Sequence, residues 1–498
     1  MKNIDKTILA FILLILSSCS GLLDIEVEGQ ISGDVLKDTP SIEQALIGAY
    51  YSFGGISNQD EGGELFGGDF MVIPTLLAHA NSLEIFWSSV QAPPYANFLD
   101  KNILSTNLRV AANWKRAYEV INMVNSILAN IEKVDNATDK ARIQGEAMAM
   151  RGILYFEMVR LWAPQYDANG IIPTSHEAIP LLTSPILDVN EIQTPTLSTI
   201  EQVYNQAETD LTQASTLLLP FGKNSTRLSY YACQAYLSRL SLQKNDYPAA
   251  LVYSDKVISS AEFALAASPQ AAFHNTANSP EDIFAIQQTL ANHTGDRTTG
   301  TGITTFYSSL TESGLGVFAV LKSSLSSTSL INSPRFSQQD LRASIDTMVT
   351  NNATSTQITT AFYRNLANNY NELLSPAKYV RTDHVLPIIR LAEMYLVRAE
   401  AEYETNGLSQ KALDDLNQVR TRAGLTPVLL TDFTNPALFF DSLAIERTRE
   451  LLYEGQLLHD LKRWGGYVGT TFNPADPWDN KFILPLPQSE RDAWQSGG

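Results

Sequence analysis

Cysteine is scarce in this chain, which has only Cys19 and Cys233 among its 498 residues. Because Cys19 belongs to the N-terminal leader motif described below, the rest of the chain has one cysteine and no partner for an internal disulfide. A single cysteine in a helical pattern is usually a small buried apolar residue. The sequence therefore excludes a disulfide-stabilised scaffold and gives no support to cysteine-based catalysis.

Basic residues are also in short supply, with 35 Lys and Arg against 53 Asp and Glu and a formal net charge of −18. Nucleic-acid binding depends on basic patches that neutralise phosphates, so nucleic acid is not an expected partner. Beyond the N-terminal leader, no apolar run reaches the length needed to cross a bilayer. We therefore expect membrane contact through a lipid anchor alone.

Sequence signatures of catalysis and of cofactor binding are missing as well. The six histidines contain no pair at metal-binding helical spacing, and there is no Gly-x-Ser-x-Gly nucleophile elbow. The glycine clusters at 62–68 and 295–302 lack the spacing of a phosphate-binding loop. We expect no enzyme activity, no metal and no cofactor. A glycosidase is the enzyme to exclude, because a carboxylate pair in an aromatic cleft is not recognisable from sequence.

The chain opens with a short basic segment and an apolar run at 8–16, which is too short to span a bilayer and is typical of a signal peptide. The run ends in Leu16-Ser17-Ser18-Cys19, which is similar to a bacterial lipobox. This motif predicts that residues 1–18 are removed and that Cys19 becomes the lipidated first residue, followed by an extended tether over 19–40. The alternative is an ordinary signal peptide with an incidental cysteine.

The most regular stretch is residues 386–425, whose apolar spacing predicts two helices joined by a short turn. Pro387 suits the first helical position, Gly407 ends the first helix and Ser409 can cap the second. The unit has about the length of a tetratricopeptide repeat, and a similar hairpin is predicted at 227–263. Such a hairpin cannot bury its apolar face alone, so the repetition indicates an array of stacked helical pairs.

Other apolar patterns predict helices at 41–51, 70–80, 108–131, 142–162, 197–218 and 441–464, whereas 81–100 and most of 273–383 follow no regular period. We predict a mainly α fold, a right-handed scaffold of about four tetratricopeptide-like hairpins with long irregular inserts on its ligand-facing side. The predicted single domain, 41–498, comprises helical repeats at about 41–52, 107–265 and 384–465, inserts at about 53–106 and 266–383, and a C-terminal tail at 466–498.

Charged residues recur at spacings of three and four in two of the predicted helices. Arg390, Glu393, Arg398 and Glu402 are interpreted as charges that support the hairpin and not as a catalytic set. The Glu and Arg residues of 446–463 are expected to stabilise an exposed helix face by roughly 0.2–0.5 kcal/mol per pair.

Several longer motifs occur in order along nearly the whole chain. They are Trp114-x-x-x-Tyr118-x-x-Ile121-x-x-x-Asn125, Glu146-Ala147-x-x-x-Arg151-x-x-x-Tyr155, Pro387-x-x-Arg390-Leu391-Ala392-Glu393-x-Tyr395-Leu396-x-Arg398-Ala399-Glu400-Ala401, Glu446-Arg447-x-Arg449-Glu450-Leu451-x-x-Glu454-Gly455, Asp460-Leu461-x-Arg463-Trp464-Gly465 and Leu484-Pro485-Leu486-Pro487-Gln488-Ser489-Glu490. With the lipobox, and Leu22-Leu23-Asp24 soon after it, they make the chain resemble the SusD/RagB family of Bacteroidetes surface lipoproteins. Two positions depart from the family pattern: Leu457 stands where the family commonly has Arg, and Trp494 replaces the usual Asn.

The resemblance implies a non-catalytic lipoprotein that is anchored to the outer membrane and exposed at the cell surface. Members of the family work beside SusC-like TonB-dependent outer-membrane transporters, so the chain is expected to capture a nutrient, a glycan or oligosaccharide, and to pass it to such a transporter. Two alternatives stay open. One is a peptide-binding member of the same family, and the other is a helical-repeat scaffold that binds other proteins.

We expect the inserts, and not the helical repeats, to hold the ligand. Sugar rings present apolar C–H faces edged by hydroxyl groups, so their sites need exposed aromatic platforms beside amide or carboxylate groups. The first insert offers Trp87, Tyr95, Asn97 and Phe98, and the second offers Asn292, His293, Asp296, Arg297, Phe306 and Tyr307. Trp87 is the first choice, because its polar, Pro-flanked segment has no periodic helix face to bury a large ring. The alternative for each ring is packing beneath its own loop.

Overall fold

The structure is a computed structural model that describes residues 35–56, 62–78, 85–87, 93–166, 173–187, 195–220, 223, 225–295, 298–310, 314–321, 339–349, 360–365, 373–464 and 480–496. Helices dominate these residues, as the sequence predicts. They are α1 (Thr39–Phe53), α2 (Asp69–Ala78), α3 (Pro93–Leu99), α4 (Leu108–Ala129), α5 (Ala137–Trp162), α6 (Ile200–Leu217), α7 (Tyr230–Gln243), α8 (Tyr247–Ile258), α9 (Ile303–Tyr307), α10 (Leu391–Asn406), α11 (Gln410–Arg422), α12 (Ala437–Glu450), α13 (Leu457–Arg463) and α14 (Gln488–Ser496).

Short strands occupy parts of the chain between the helices. They are β1 (Ile85–Trp87), β2 (Glu177–Pro180), β3 (Leu197–Thr199), β4 (Asp282–Ile286), β5 (Phe318–Leu321), β6 (Ile345–Val349), β7 (Phe362–Asn365), β8 (Leu373–Pro376) and β9 (Leu386–Arg390). Five of them form one sheet in the order β1-β5-β8-β7-β6, in which only the β6–β7 pair is parallel. The pairs β2–β3 and β4–β9 form two small antiparallel sheets.

The helical array is built from short, well-capped units. The side chain of Ser409 accepts a hydrogen bond from the amide of Ala412 and caps α11, and Asp246 caps α8 in the same way through Ala249. Helix α10 ends at Asn406 because Gly407, with φ of +78°, adopts a left-handed backbone conformation. The predicted cap and stop of the 386–425 hairpin are therefore confirmed.

Neighbouring helices pack side by side in the order α1, α4, α5, α6, α7, α8, α10 and α11, and α12 packs against both α10 and α11. The two repeat hairpins, α7–α8 and α10–α11, meet where α10 packs against α8. This succession of stacked helical pairs confirms the mainly α, tetratricopeptide-like fold. No helix in the described part of the chain is long and apolar enough to cross a membrane.

The predicted start of the 386–425 hairpin is wrong. Pro387 lies in strand β9, and α10 begins only at Leu391. Strand β9 pairs antiparallel with β4, with Ile286 opposite Leu386 and Asp282 opposite Arg390. Both strands of a two-stranded sheet are edges, so a proline without an N–H group is tolerated there.

The helix predicted over 441–464 is two helices, because α12 ends at Glu450 and α13 begins at Leu457. In the connection Tyr453 and Gly455 adopt positive φ angles of 65° and 77°. A Cβ atom on Gly455 would lie 2.6 Å from the carbonyl oxygen of Phe70, so close packing against α2 requires glycine here. Because the apolar periodicity continues across this break, the sequence pattern does not predict it.

Three other expectations about elements are corrected by the structure. The helix predicted from 197 starts at Ile200, after strand β3. The segment 81–100, expected to be a loop, contains β1 and α3, and the long second insert contributes strands β4 to β8 and helix α9. These strands are short, with three to five residues each, and β1, β4 and β5 pair with residues far away in the chain, so no local period indicates them.

The charges of 446–463 lie in the protein interior and not on an exposed face. Arg447, Asp460 and Arg463 are buried, and Arg447 Nε lies 2.7 Å from Asp460 Oδ2. Arg463 Nη2 lies 2.7 Å from Glu400 Oε2 on α10. The prediction that these charges are structural agrees with this geometry, whereas the prediction that they are exposed is wrong. Each guanidinium binds a carboxylate of a neighbouring helix, and this pairing allows burial.

Candidate functional site

The two inserts combine into one layer beside the helical array. Strand β1 from the first insert pairs antiparallel with β5 from the second, with Ile85 opposite Val320 and Trp87 opposite Phe318. We call the five-stranded sheet together with α3 and α9 the insert layer. The sequence predicted that the inserts share one side of the molecule, and the β1–β5 pairing joins a strand of the first insert to a strand of the second.

Glycine residues from the two inserts meet backbone to backbone beneath the layer. A Cβ atom on Gly63 would lie 2.5 Å from the amide nitrogen of Gly302, and one on Gly68 would lie 2.8 Å from the amide nitrogen of Ile303. Gly302 also has a φ of +85°, which disfavours other residues. We call Gly63, Gly68 and Gly302 the glycine seam. The glycine clusters that lacked phosphate-loop spacing thus include the residues that join the inserts.

Tyr95 and Phe306 connect the two candidate stretches, because their ring centroids lie 4.7 Å apart. Both rings are buried, and the Tyr95 hydroxyl donates a hydrogen bond of 2.6 Å to Asp69 Oδ1. Arg109 Nε donates to the other oxygen of Asp69 at 2.9 Å. Burial, with the charge of Asp69, raises the pKa of Tyr95 well above its usual value. Tyr95 is therefore part of a buried polar cluster that fixes α2, α3 and α4 together.

Phe98 and Tyr307 are also core residues. The Tyr307 ring lies 4.5 Å from the Phe318 ring and 5.6 Å from the Tyr379 ring, measured between centroids. Tyr95, Phe98, Phe306 and Tyr307 are each at most 3% exposed. The expectation that these four rings are exposed platforms is therefore wrong. These rings belong to the same hydrophobic core as the helices, and the polar residues that flank them in sequence do not reveal that they are buried.

The polar candidates lie nearer the surface. Asn97 is half-buried and its Oδ1 accepts a hydrogen bond of 3.1 Å from Asn107 Nδ2. Asn292 and His293 are half-buried in the segment after β4, where the Asn292 amide donates to Thr289 Oγ1 at 3.0 Å. Trp87 ends the edge strand β1. Ligand contact by these four residues stays a prediction. Asp296, Arg297 and Cys19 lie outside the described residues.

A cleft that the sequence did not predict opens between the insert layer and the α12–α13 connection. It has an internal volume of about 30 Å³ and is lined by Pro269, Gln270, His274, Arg342, Ala361, Phe362, Pro376, Ala377, Lys378, Arg449, Leu452 and Tyr453. The lining combines apolar and aromatic groups with cationic side chains. Arg449 occurs in a motif quoted above, but Arg342 and Lys378 lie in the segment without any period, so no sequence signal indicated the cleft.

Carboxylates hold the cationic side chains of the cleft in place. Arg342 Nη2 lies 2.9 Å from Asp340 Oδ2, and its Nη1 lies 2.7 Å from Glu446 Oε1. Lys378 Nζ lies 2.6 Å from Glu454 Oε1, although burial lowers the pKa of Lys378. Each of these carboxylates forms an ion pair with a cationic side chain. The arrangement therefore favours a binding surface with fixed charges over proton transfer by a pair of free carboxyl groups.

His274, which lines the cleft, stacks against His384. The imidazole centroids of His274 and His384 lie 6.0 Å apart. Burial lowers the pKa of both, and the pKa of His384 falls to about 4 with His274 contributing. Both rings are therefore neutral at pH 7. Among the residues that the structure describes, no group of three His, Cys, Asp or Glu side chains is arranged to hold a metal ion.

Comparison with known proteins defines the class to which this fold belongs. A SusD superfamily structure from Bacteroides thetaiotaomicron superposes with a TM-score of 0.71 and 22% identity over 92% of this chain and 98% of the other. A structure described as a putative sugar binding protein from Bacteroides vulgatus also has a TM-score of 0.71, with 21% identity over 92% and 97% of the two chains. The fold is that of the SusD superfamily.

Sequence comparison gives the family. The family model described as "SusD family" matches residues 286–489, and the one described as "Starch-binding associating with outer membrane" matches 78–242. "SusD-like protein P2" of Formosa agariphila is 25% identical over 98% of this chain and 97% of its own length. "Starch-binding protein SusD" of Bacteroides thetaiotaomicron is 38% identical, but over only 19% of this chain and 15% of its own. The chain belongs to the SusD/RagB family, and the resemblance seen in its motifs is confirmed.

Proposed function

We propose that this chain is a cell-surface lipoprotein that captures a glycan or oligosaccharide and delivers it to a partner SusC-like TonB-dependent outer-membrane transporter. The observation that carries the proposal is the match to two SusD family models, one of them described as starch-binding and associated with the outer membrane. The starch-binding and sugar-binding descriptions of the similar proteins support the same ligand class.

The architecture suits capture by the insert layer. The glycine seam and the buried Tyr95–Phe306 contact hold the two inserts against each other, so residues above them sit on a rigid base. The residues we propose for ligand contact are Trp87, Asn97, Asn292, His293, Asp296 and Arg297.

Ligand capture is tested by calorimetry with maltoheptaose, and with oligosaccharides selected on a glycan array. Trp87→Ala should weaken binding at least about tenfold, since stacking of a sugar ring on an aromatic side chain is lost. The matched control is Tyr51→Ala, because Tyr51 is 41% exposed on α1 of the helical array. Equal binding by wild type and Trp87→Ala would contradict the assignment of Trp87, and binding of peptides without any glycan would favour the peptide alternative.

The lipid anchor is proposed to be carried by Cys19. Cys19→Ala protein should lose incorporation of labelled fatty acid and leave the outer-membrane fraction. Cys233→Ala is the matched control, because the Cys233 thiol is buried and its pKa is raised by burial. A Cys19→Ala protein that still carries fatty acid would contradict the lipobox.

The partner is proposed to be a barrel transporter that binds the broad face of the helical array. Gentle solubilisation of native membranes should co-purify a large outer-membrane barrel protein with this chain, and recovery of the chain alone would count against the partnership. A protein-binding scaffold is the second candidate. It is favoured by three exposed leucines near the α11–α12 connection, Leu429, Leu430 and Leu438. Partner binding that survives while all glycan binding is absent would favour this candidate.

A further inference from the structure

A half-buried amide group on α3 is held in one orientation by a buried neighbour. The side chain of Asn97 accepts a hydrogen bond at its Oδ1 from Asn107 Nδ2. Asn107 is 5% exposed and is the N-cap residue of α4. We call Asn97 and Asn107 the amide pair. It connects the start of α4 in the helical array to a residue that we propose for ligand contact.

The cap of α4 fixes the side chain of Asn107. Its Oδ1 accepts hydrogen bonds from the backbone amides of Arg109 at 2.9 Å and Val110 at 3.2 Å. The opposite orientation would place its NH2 group against these two N–H groups, and donors do not bind donors. The NH2 group therefore points toward α3, where it donates to the carbonyl oxygen of Pro94 at 2.7 Å and to Asn97 Oδ1 at 3.1 Å.

The orientation of Asn97 follows from that of Asn107. Since an N–H group of Asn107 points at Asn97, the atom that faces it has to be the acceptor Oδ1. The NH2 group of Asn97 then lies on the opposite side of the amide, where it has no hydrogen-bond partner among the residues that the structure describes. Asn97 is half-buried, and its NH2 group is not one of the enclosed polar atoms that lack a partner. The amide pair therefore presents N–H donors of fixed direction to solvent.

Helix α3 is itself fixed, so these donors keep their position. The Tyr95 hydroxyl donates to Asp69 Oδ1 at 2.6 Å, and the side chains of Arg109 and Asn113 donate to Asp69 Oδ2. Asp69 is completely buried. A donor that is already held in place loses little conformational entropy when a ligand binds to it, whereas a freely rotating asparagine has to be ordered first.

We propose that Asn107 is a positioning residue for glycan binding, and that it acts by turning the NH2 group of Asn97 toward an acceptor atom of the ligand. The acceptor is a ring, glycosidic or acetamido carbonyl oxygen, or a hydroxyl oxygen whose proton is donated elsewhere. This role rests on the proposed capture of glycans and adds a fixed polarity at Asn97, which donates to the ligand. A carboxylate at either position of the amide pair reverses that polarity.

The contact of Asn97 with the ligand is tested first. Calorimetry with the wild-type chain and a panel of maltoheptaose, cellohexaose, laminarihexaose and hexa-N-acetylchitohexaose identifies a ligand. Asn97→Asp keeps the bond from Asn107 but places an oxygen where the NH2 group was. It should weaken binding of that ligand at least about tenfold, because two acceptors then face each other. Asn97→Ala, which only removes the hydrogen bond, should weaken it roughly threefold to tenfold.

The role of Asn107 is tested through its effect on Asn97. Asn107→Asp keeps the cap of α4, since Asp and Asn cap helices about equally well, but it presents an acceptor to Asn97. The amide of Asn97 should turn round, so that its oxygen faces the ligand and the affinity falls about tenfold. In an Asn97→Ala background the same substitution should change the affinity by less than about twofold, because the group through which Asn107 acts is missing.

Two further variants serve as controls. Asn136→Asp adds the same charge to the exposed cap of α5, where Asn136 accepts hydrogen bonds from the amides of Thr138 and Asp139, and it should leave binding unaltered. Asn107→Ser caps α4 without an NH2 group. It replaces Asn107→Asp if the buried carboxylate lowers the melting temperature below the assay temperature, and it should weaken binding only when Asn97 is present.

The possible results separate the positioning role from the proposed function. Unaltered affinity in both Asn97 variants would overturn the positioning role while leaving glycan capture intact. Weaker binding in the Asn97 variants but not in the Asn107 variants would show that Asn97 contacts the ligand without being oriented. An equal loss for Asn107→Asp in the wild-type and Asn97→Ala backgrounds would assign Asn107 a merely structural role. Absence of binding to every oligosaccharide of the panel would contradict the proposed function and the positioning role together.

Discussion

At the scale of single residues, the described aromatic side chains Tyr95, Phe98, Phe306 and Tyr307 are buried, whereas the polar side chains beside them are only half-buried. Sequence composition correctly indicated that Tyr95 and Phe306 belong to the same part of the molecule, since their rings pack together. It gave no indication that both lie beneath the sheet. An aromatic residue in a polar segment has the same sequence signature whether it faces solvent or a neighbouring insert, because the packing partner lies far away in the chain.

Tyr307 provides a direct test of this distinction. Tyr307→Ala should lower the free energy of unfolding by about 3–5 kcal/mol, because it leaves a cavity between Phe318, Tyr379 and Tyr453. Leu290→Ala in the same insert should change it by less than about 0.5 kcal/mol, because Leu290 is 70% exposed. Chemical denaturation measures both values. Unaltered stability of Tyr307→Ala together with lost ligand binding would restore Tyr307 as a surface platform.

Glu393 makes folding stability depend on acidity. Burial alone would raise its pKa, but Arg239, whose Nη2 lies 2.6 Å from Glu393 Oε2, lowers it to about 2. The unfolded chain therefore binds the proton first as pH falls. The contribution of the carboxylate, about 3 kcal/mol, is complete above pH 4.5 and is lost as pH falls through about 2.

We expect the stability difference between wild type and Glu393→Gln to shrink over this interval, because the glutamine does not titrate. Denaturation curves recorded at about pH 7, 4.5 and 3 measure the difference. The matched control is Glu119→Gln, whose carboxylate pairs with Arg116 at the surface of α4. A difference that is constant over the whole interval would show that Glu393 is not the titrating group.

At the scale of elements, the sequence predicted the helices and turns that depend on neighbouring residues. It missed the elements that depend on contacts with distant parts of the chain. The turn from Gly407 to Ser409 was placed correctly because both residues act on the adjacent backbone. Pro387 was assigned to a helix because its strand partner, β4, lies about a hundred residues earlier in the chain. The break at Gly455 was missed for the same reason, since the α2 backbone at Phe70 and Met71, which leaves no room for a Cβ atom there, lies far away in the chain.

The glycine seam can be tested against a neighbouring glycine that lacks close contacts. Gly300 and Gly63 both have positive φ angles, +69° and +78°, but a Cβ atom on Gly63 would lie 2.5 Å from the amide nitrogen of Gly302 in the other insert, and one on Gly300 meets nothing within 4 Å. Gly300→Ala should cost about 1 kcal/mol for its backbone conformation alone. Gly63→Ala should cost about 1–3 kcal/mol more, because of the overpacking.

Thermal and chemical denaturation of the two variants give this difference directly. Equal costs would show that the two inserts are able to move apart and that the seam does not fix them. A larger cost for Gly63→Ala, accompanied by weaker oligosaccharide binding, would show that the seam positions the insert layer for its ligand.

At the scale of the whole molecule, one continuous core joins the helical array to the inserts and to the C-terminal tail. It includes Leu36 near the start of the described chain, Phe284 in the insert and Leu484 in the tail. The tail was predicted only as a separate segment. The backbone shows its attachment, because the amide of Leu484 donates to the carbonyl of Leu161 at 2.8 Å, and that of Gln488 donates to Ser105 at 2.9 Å.

The tail should therefore contribute to global stability. Leu484→Ala should lower the free energy of unfolding by about 2–5 kcal/mol, because Leu484 is 1% exposed in this core. Arg491→Ala, an exposed position in α14, serves as the control and should change it by less than about 0.5 kcal/mol. An equally small effect at both positions would mean that the tail does not contribute to global stability.

The β4–β9 pair also determines how the second insert can change in length. By joining Ile286 to Leu386, it closes the intervening chain into a loop at its base, directly before α10. The entropy of closing a loop grows only with the logarithm of its length, so doubling the loop costs only about 0.6 kcal/mol. Residues added between the two strands would hardly disturb the helical array. Descendants of this chain can therefore lengthen the insert that we propose to face the ligand, and acquire new specificities, on an unchanged scaffold.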